Sequence, residues 1–245
     1  MGMARQSTRA AIPVLLTRPE AASRAFAAAL EARFEGQVRP LISPLMAPVF
    51  LTPVLPDGPF AAVIFTSATG VAAAMGLPLP NRAYCVGAQT AARARLAGFD
   101  AASADGDAGA LVAAVLANPP NGRLLHLQGE ETRGNVAERL AAAGVRTDSV
   151  TVYRQEPQPL TAEALGLLGT EGVIIVPLFS PRTAALFHAA APHGLRARLR
   201  LAAMSAAVAD AVPVLPHEAL EIARRPDADA MLEAVGRLLD LRSTP

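Results

Sequence analysis

Residues 61–69 read AAVIFTSAT, a run of five apolar residues followed by two hydroxyl side chains. The apolar run predicts a short buried strand. Thr66 and Ser67 predict a turn after that strand, and a helix is expected to begin near Thr69. This stretch therefore predicts one strand, turn and helix of an α/β fold.

The same order of elements returns in the second half of the chain. Residues 173–176 predict a strand, residues 179–182 (FSPR) a turn, and residues 183–190 a helix. A further turn of this kind contains Ser205, which follows a predicted strand at residues 201–204. The repetition predicts that the chain folds as two similar halves.

Predicted strands and helices alternate along almost the whole chain. This alternation favours parallel sheets with helices on both faces. In such sheets, ligands bind at the carboxyl ends of the strands. The exception is residues 40–59, where prolines recur every few residues and exclude a regular helix. That segment predicts an extended linker or an edge strand.

The composition excludes several classes of protein. No lysine is present, which excludes Schiff-base, P-loop and kinase lysines. A net charge of +1 provides no basic surface for nucleic acid, and the apolar runs are too short to cross a membrane. The single cysteine, Cys85, predicts a small buried residue and gives no reason for an oxidising compartment. We therefore expect a cytoplasmic protein.

Known catalytic motifs are absent from the sequence. The four histidines form no HExxH motif and no CxxC pair exists, so we expect no metal site. GxSxG, GxGxxG and GxxxxGK are also missing. The remaining chemistry is the binding and positioning of a ligand.

Polar side chains close to predicted strand ends are the candidates for binding an anion. A hydroxyl there can donate to a carboxylate or cap the following helix, and an arginine can bind a carboxylate or remain on the surface. Tyr153 can likewise pack at a strand edge or act as a proton donor. These alternatives stay open at this point. The hydroxyl and arginine candidates are Thr66, Ser67, Ser180, Ser205, Arg18, Arg133 and Arg182.

Several segments together resemble the uroporphyrinogen-III synthase (HemD-like) family. In chain order they are LLTRP (15–19), IFTSA (64–68), YCVGAQTA (84–91), LLHLQG (124–129), VYR (152–154) and FSPRTA (179–184). Each motif is short, but their order and spacing span most of residues 14–239. The resemblance therefore covers nearly the whole chain.

The resemblance implies two α/β lobes, each a parallel sheet flanked by helices, with an active-site cleft between the lobes. The first domain would comprise residues 1–40 and 158–245, and the second domain residues 54–149. Residues 41–53 and 150–157 would form a two-stranded linker, in agreement with the proline-rich segment.

The resemblance also implies a reaction. Members of the family cyclise the linear tetrapyrrole hydroxymethylbilane, with loss of water and inversion of the last pyrrole ring, to give uroporphyrinogen III. They are lyases of porphyrin and heme biosynthesis that need no cofactor, and we expect this chain to act as a monomer. Tyr153 matches the family's linker tyrosine, proposed to help the hydroxyl leave. The expected substrate-binding residues are Arg18, Thr66, Ser67, Thr90, Ser180, Arg182 and Ser205.

A second hypothesis comes from a different class of protein. A non-catalytic, two-lobed binding protein or sensor for a carboxylated ligand would use the paired turns equally well. No fused output segment is evident in the sequence. Binding of the linear tetrapyrrole without turnover would favour this alternative.

Overall fold

The computed structural model describes residues 10–132, 134–212 and 214–241. These residues divide into two units, each built on its own sheet. The first unit comprises the described residues up to Ala47 and those from Pro157 onward. The second unit runs from Pro48 to Glu156.

Strands and helices alternate along the described residues except from β2 to β4, as the sequence predicts for all but its proline-rich segment. The strands are β1 (Ile12–Leu16), β2 (Val38–Ile42), β3 (Met46–Phe50), β4 (Phe60–Phe65), β5 (Arg82–Cys85), β6 (Asp100–Ser103), β7 (Arg123–Gly129), β8 (Thr147–Pro157), β9 (Val173–Leu178), β10 (Arg198–Ala203) and β11 (Ala219–Ile222). The helices are α1 (Glu20–Arg33), α2 (Ala68–Ala73), α3 (Ala88–Leu96), α4 (Ala108–Ala117), α5 (Val136–Ala142), α6 (Ala162–Leu168), α7 (Pro181–Ala190), α8 (Ala206–Ala209) and α9 (Ala228–Asp240).

The sheet of the first unit has the strand order β11-β10-β9-β1-β2, and all of its pairs are parallel. Alternate residues of β1 point to opposite faces. Leu15 packs with residues of α6, α7 and α8, whereas Val14 and Leu16 pack with residues of α1 and α9. Both faces of this sheet are therefore covered by helices, which confirms the predicted α/β class.

The sheet of the second unit has the order β3-β8-β7-β4-β5-β6. Its strands from β8 to β6 pair in parallel. Val63 and Phe65 of β4 pack with residues of α2 and α3, and Ala62 and Ile64 pack with residues of α4 and α5. The AAVIF run is therefore a central strand buried between two layers of helices, as expected.

Strands β3 and β8 lie next to each other at the edge of the second sheet. The amide of Leu51 donates to the carbonyl of Val152, and the amide of Gln158 donates to the carbonyl of Leu45. Because one residue number rises as the other falls, the two strands run antiparallel. This is the one departure from parallel pairing among the described strands.

The proline-rich segment supplies edge strands, which agrees with one of the two expectations for it. Pro40 lies in β2, at the edge of the first sheet, and Pro48 lies in β3, at the edge of the second sheet. Proline has no amide hydrogen, so an edge strand tolerates it where a central strand does not. Strand β6 has no counterpart among the predicted strands, because its sequence DAAS lacks the branched and aromatic residues typical of strands.

Arg200 of β10 is fully buried, which its residue type does not predict. Its guanidinium donates to the carboxylate of Glu218 and to the carbonyls of Leu238 and Leu241, at distances of 2.7 to 3.4 Å. Carbonyls at the end of a helix lack partners within the helix. Arg200 therefore links the end of α9 to β10 of the first sheet through hydrogen bonds.

Replacing Arg200 with methionine is expected to lower the free energy of unfolding by about 3 kcal/mol, because it leaves a carboxylate and carbonyls without their buried partner. Arg196→Met is the matched control, since Arg196 and its partner Glu171 have side chains that are 63% and 79% exposed. That change should cost at most about 1 kcal/mol. Urea-induced unfolding measures both variants, and equal losses would contradict this role of Arg200.

Candidate active site

The turn after β4 holds two of the predicted site residues. Ser67 is the N-cap of α2, and its Oγ accepts a hydrogen bond of 3.0 Å from the amide of Gly70. Thr66 precedes it and is half-buried. The capping role that the sequence left open for Ser67 is therefore present. Its hydroxyl hydrogen remains available for a further partner.

Tyr153 is that further partner. Its phenol oxygen lies 3.0 Å from Ser67 Oγ, although the two residues are 86 positions apart in the chain. The ring is half-buried and packs against the core that lies between the second sheet, α2 and α3. The structure thus brings together Tyr153 and Ser67, two residues that the sequence predicted for the site.

A register shift between β7 and β8 places the tyrosine opposite a glycine. Gln128 pairs with Thr151, but the next residue of β7, Gly129, pairs with Tyr153. One residue of β8 is thereby skipped, and such irregularities redirect side chains next to functional sites. A Cβ atom on Gly129 would lie 2.6 to 2.9 Å from Cζ, Cε2 and the hydroxyl of Tyr153. The phenol can therefore occupy its place only because residue 129 has no side chain.

His126 lies behind Thr66 in the core of the second unit. Its Nε2 is 3.4 Å from Thr66 Oγ1, and its ring is only 3% exposed. Burial lowers the pKa of His126 from 6.5 to about 4, so the ring is neutral at physiological pH. Its Nδ1 is buried and has no partner among the described residues. His126 is thus an uncharged hydrogen-bonding partner of Thr66.

Thr90 also lies near the carboxyl end of a strand in the second unit. It is the third residue of α3, whose N-cap is Gly87, and α3 follows β5. The residue is buried and 7% exposed. The turn after β5 neighbours the turn after β4, because these strands are paired. Thr90 is therefore at the same edge of the sheet as Thr66 and Ser67.

The first unit presents corresponding turns after β9 and β10. Ser180 is the N-cap of α7: its Oγ accepts from the amide of Thr183 at 3.2 Å and lies 2.8 Å from Thr183 Oγ1. Arg182 is in the first turn of α7 and is exposed. Ser205 precedes α8 and makes no capping hydrogen bond through its side chain. Ser180 and Ser205 therefore differ in how far their hydroxyls are engaged.

Arg18 stacks on an aromatic ring beside the Ser180 turn. Its guanidinium carbon lies 4.0 Å from the centre of the Phe179 ring, a cation–π geometry. Burial lowers the pKa of Arg18 from its ordinary value. Within the ranges that the structure describes, no carboxylate forms an ion pair with it. A half-buried cation without an acidic partner is suited to bind an anionic ligand.

Two contributors to the site are not predicted from the sequence, and one predicted residue is not described. Gly129 closes the LLHLQG motif, but its importance depends on a side chain 24 positions away. Phe179 belongs to the FSPRTA motif, yet its contact with Arg18 crosses from the end of β9 to the end of β1. Arg133 lies outside the described residues.

The described ranges hold neither a metal cluster nor a membrane-spanning helix. No three or more His, Cys, Asp or Glu residues of the described chain are grouped so as to hold a metal ion. No described helix is long and apolar enough to cross a membrane. Cys85 is fully buried, as expected, and burial raises the pKa of its thiol to about 11. The absence of a cofactor requirement stays a prediction.

Two α/β units with polar side chains after the carboxyl ends of parallel strands define a class of proteins that bind ligands at those ends. Within this class, the sequence profile of the uroporphyrinogen-III synthase HemD family matches residues 24–233. The chain belongs to that family. It is therefore a cyclising lyase of porphyrin biosynthesis that forms uroporphyrinogen III from hydroxymethylbilane.

Two solved structures of similar proteins can be compared with this chain. Uroporphyrinogen-III synthetase from Helicobacter pylori 26695 has 18% sequence identity and a TM-score of 0.57, with 93% of this chain and 99% of that chain covered. Thermus thermophilus uroporphyrinogen III synthase has 18% identity and a TM-score of 0.39, with 94% and 100% covered. The fold comparison rests on the Helicobacter protein. No curated protein matches this chain.

Gly129→Ala is expected to displace the Tyr153 ring and to lower the free energy of unfolding by about 1–3 kcal/mol, because the new methyl group overlaps the ring. Near-ultraviolet circular dichroism measures the displacement in a Tyr84→Phe background. Tyr153 is then the only tyrosine of a chain without tryptophan.

Gly166→Ala is the control for this substitution. Gly166 lies within α6, and a Cβ atom added there would have no neighbour within 4 Å, so alanine fits without overlap. It should leave the tyrosine spectrum unchanged and raise stability by about 0.5–1 kcal/mol. An unchanged spectrum in Gly129→Ala would contradict the close packing of Gly129 and Tyr153.

The buried neutral state of His126 makes stability depend on pH. Its pKa is about 4 in the folded protein and about 6.5 in the unfolded chain, so the unfolded chain binds the additional proton between these values. The part of the free energy of unfolding that depends on His126 is fully present above about pH 6.5. It is expected to fall by about 3 kcal/mol as the pH drops towards 4. His126→Leu should remove this loss, and His193→Gln, at an exposed position, should retain it. Urea unfolding at several pH values tests the expectation, which fails if His126→Leu keeps the full loss.

Proposed function

We propose that Tyr153 is the general acid of the ring-closing reaction and donates its phenol proton to the departing hydroxyl of hydroxymethylbilane. The observation that carries this proposal is the place of the phenol, at the carboxyl edge of the second sheet and 3.0 Å from Ser67 Oγ. The half-buried ring leaves part of its surface for a substrate. A positioned acid of this kind accelerates a reaction by about 10²- to 10⁴-fold.

The proton balance of the step closes without another reagent. The phenol proton passes to the hydroxyl oxygen of the substrate, the carbon–oxygen bond breaks towards that oxygen, and water leaves. The neighbouring pyrrole nitrogen supplies electrons to the carbon that has lost the oxygen. The carbon that has lost the oxygen first bonds to the last pyrrole at the α carbon that already carries the methylene bridge, which gives a spiro intermediate. The old bond from that α carbon to the bridge then breaks, and the bridge bonds to the free α carbon of the same ring. That last step releases one proton, which restores the phenol of Tyr153. Tyr153 thus acts once as acid and once as base.

Arg18 is proposed to bind one of the substrate's carboxylates. The substrate carries acetate and propionate on every ring, and a guanidinium can hold a carboxylate through two parallel hydrogen bonds. Stacking on Phe179 fixes the plane of the Arg18 guanidinium and removes part of its hydration. Both effects lower the free-energy cost of binding, because less side-chain entropy is lost and less water must be removed.

The remaining carboxylates are proposed to bind at the polar turns of both units. Hydroxyl groups there donate to a carboxylate, and the amides at the beginnings of α3 and α7 add further donors. The net charge of +1 is compatible with this, because backbone amides bind anions without a charged side chain. The side chains proposed for this are those of Thr66, Thr90, Ser180, Arg182 and Ser205. Ser67 lies in the same turn as Thr66, but its hydroxyl already pairs with the phenol of Tyr153.

Holding the substrate in one shape is the main task proposed for these contacts. The unassisted reaction gives the isomer in which the last ring is not inverted. An enzyme that fixes both ends of the chain near each other can recover up to about 7–11 kcal/mol from orientation. Several binding points along a flexible tetrapyrrole serve this purpose better than one.

Domain boundaries, assembly and location complete the proposal. Residues 1–40 and 158–245 are proposed as one domain, residues 54–149 as the second, and residues 41–53 and 150–157 as the linker. We propose that the enzyme acts as a monomer in the cytoplasm. A single cysteine, fully buried, is compatible with a reducing compartment.

Supplying hydroxymethylbilane and separating the product isomers tests the function. The expected product is the inverted type III ring, and Tyr153→Phe should lower kcat by about 10²- to 10⁴-fold because the acid is lost. Tyr84→Phe is the control, since Tyr84 lies in the opposite layer of the core and is buried. It should leave kcat unchanged.

Three outcomes would speak against the proposal, each in a different way. Formation of the type I ring alone would contradict synthase activity. Tight binding of the linear tetrapyrrole without turnover would favour a binding protein or sensor. Full turnover by Tyr153→Phe would remove the acid role while leaving the family membership intact.

A further inference from the structure

The hydroxyl of Ser67 takes part in two hydrogen bonds at the same oxygen. It accepts from the amide of Gly70 at 3.0 Å and lies 3.0 Å from the phenol oxygen of Tyr153. Either hydroxyl of the second pair can be the donor. The direction matters, because each of these groups has a single hydrogen to donate.

The two directions have opposite consequences for a proton donor. If the phenol donated to Ser67, its only hydrogen would point at the protein and away from a substrate. If Ser67 donates, the phenol hydrogen remains directed elsewhere. A hydroxyl that already accepts a hydrogen bond is a stronger donor, because successive hydrogen bonds polarise one another. The bond from Gly70 therefore strengthens Ser67 as a donor, and it also occupies one of the two acceptor sites of the serine oxygen.

We infer that Ser67 is a positioning residue: its hydroxyl donates to the phenol oxygen of Tyr153 and leaves the phenol hydrogen for the substrate. This inference rests on the proposed role of Tyr153 as the acid. It assigns to Ser67 an action through the tyrosine. When the phenol has given its proton to the departing hydroxyl, the same hydrogen bond stabilises the phenolate until the proton returns.

The arrangement is particular to this turn, and capping alone does not produce it. Ser180 caps α7 in the same manner, yet its second contact is Thr183 of its own helix. Ser67 instead reaches a residue on another strand, and the missing side chain of Gly129 makes room for that residue. The turn after β4 therefore carries an additional function that the turn after β9 lacks.

A double-mutant cycle separates this role from a structural one. Ser67→Ala is expected to lower kcat by about 10- to 100-fold, the worth of a hydrogen bond to a charged group, while KM stays within about twofold. In the Tyr153→Phe background the same change should have no further effect on kcat, because Ser67 acts through the phenol. Ser67→Thr keeps the hydroxyl and should restore activity.

Loss of the helix cap is controlled at another position. Thr161 caps α6 in an equivalent way, because its Oγ1 accepts from the amide of Ala164 at 3.2 Å, and Thr161→Ala should leave kcat and KM unchanged. If Ser67→Ala does not fold, Ser67→Gly replaces it, because glycine is tolerated at N-caps. The comparison then removes the hydroxyl and preserves the helix.

Raman spectroscopy reports the direction of the hydrogen bond itself. The intensity ratio of the tyrosine doublet differs between a phenol that accepts and one that donates. In the Tyr84→Phe background, the signal arises from Tyr153 alone. We expect an accepting phenol in the parent protein and loss of that character in Ser67→Ala.

The outcomes distinguish this inference from the proposed function. A donating phenol, a rise in KM with unchanged kcat, or equal losses from Ser67→Ala in both backgrounds would overturn the inference and leave the acid role standing. Full activity of Tyr153→Phe, or the type I ring alone from the parent enzyme, would instead contradict the proposed function.

Discussion

Parallel pairing of strands is the constraint on which the rest of this protein depends. A parallel connection must return across the sheet, so a helix follows every described strand except β2 and β3, and the turn before that helix leads from the carboxyl end of the strand. This geometry covers both faces of each sheet with apolar residues and leaves the polar turns at one edge. Site and core therefore follow from one arrangement: Val63 and Phe65 are buried along β4, and Thr66 and Ser67 come directly after it.

Much of the fold could be predicted from the sequence because hydrophobic runs and turn residues are local signals. The strand at residues 61–65, the edge strands of the proline-rich segment and the helices after each turn all follow from neighbouring residues. Strand β6 could not be predicted, since its four residues have weak strand propensity and it forms by pairing with β5. The burial of Arg200 could not be predicted either, because an arginine is ordinarily exposed and its partners lie 18 to 41 positions away.

The site was only partly predictable, because its residues can be found locally but their contacts cannot. Hydroxyls and arginines near strand ends can be found from type and position, which led to Ser67, Ser180 and Arg18. The contacts that give them chemistry join distant parts of the chain: Ser67 to Tyr153, and Arg18 to Phe179. Sequence spacing cannot distinguish a serine that only caps a helix from one that also holds a phenol.

The missing side chain at Gly129 limits which residues can replace it during evolution. Position 129 contributes no atom to the chemistry, yet it must remain free of a side chain as long as residue 153 carries a ring at this register of β7 and β8. A side chain at 129 and a ring at 153 therefore compete for the same space in this register. Among descendants of this protein, a larger residue at 129 becomes acceptable only after the ring at 153 has been lost or the irregularity between the strands has been removed. An alignment would show this as covariation between residues that are far apart in sequence.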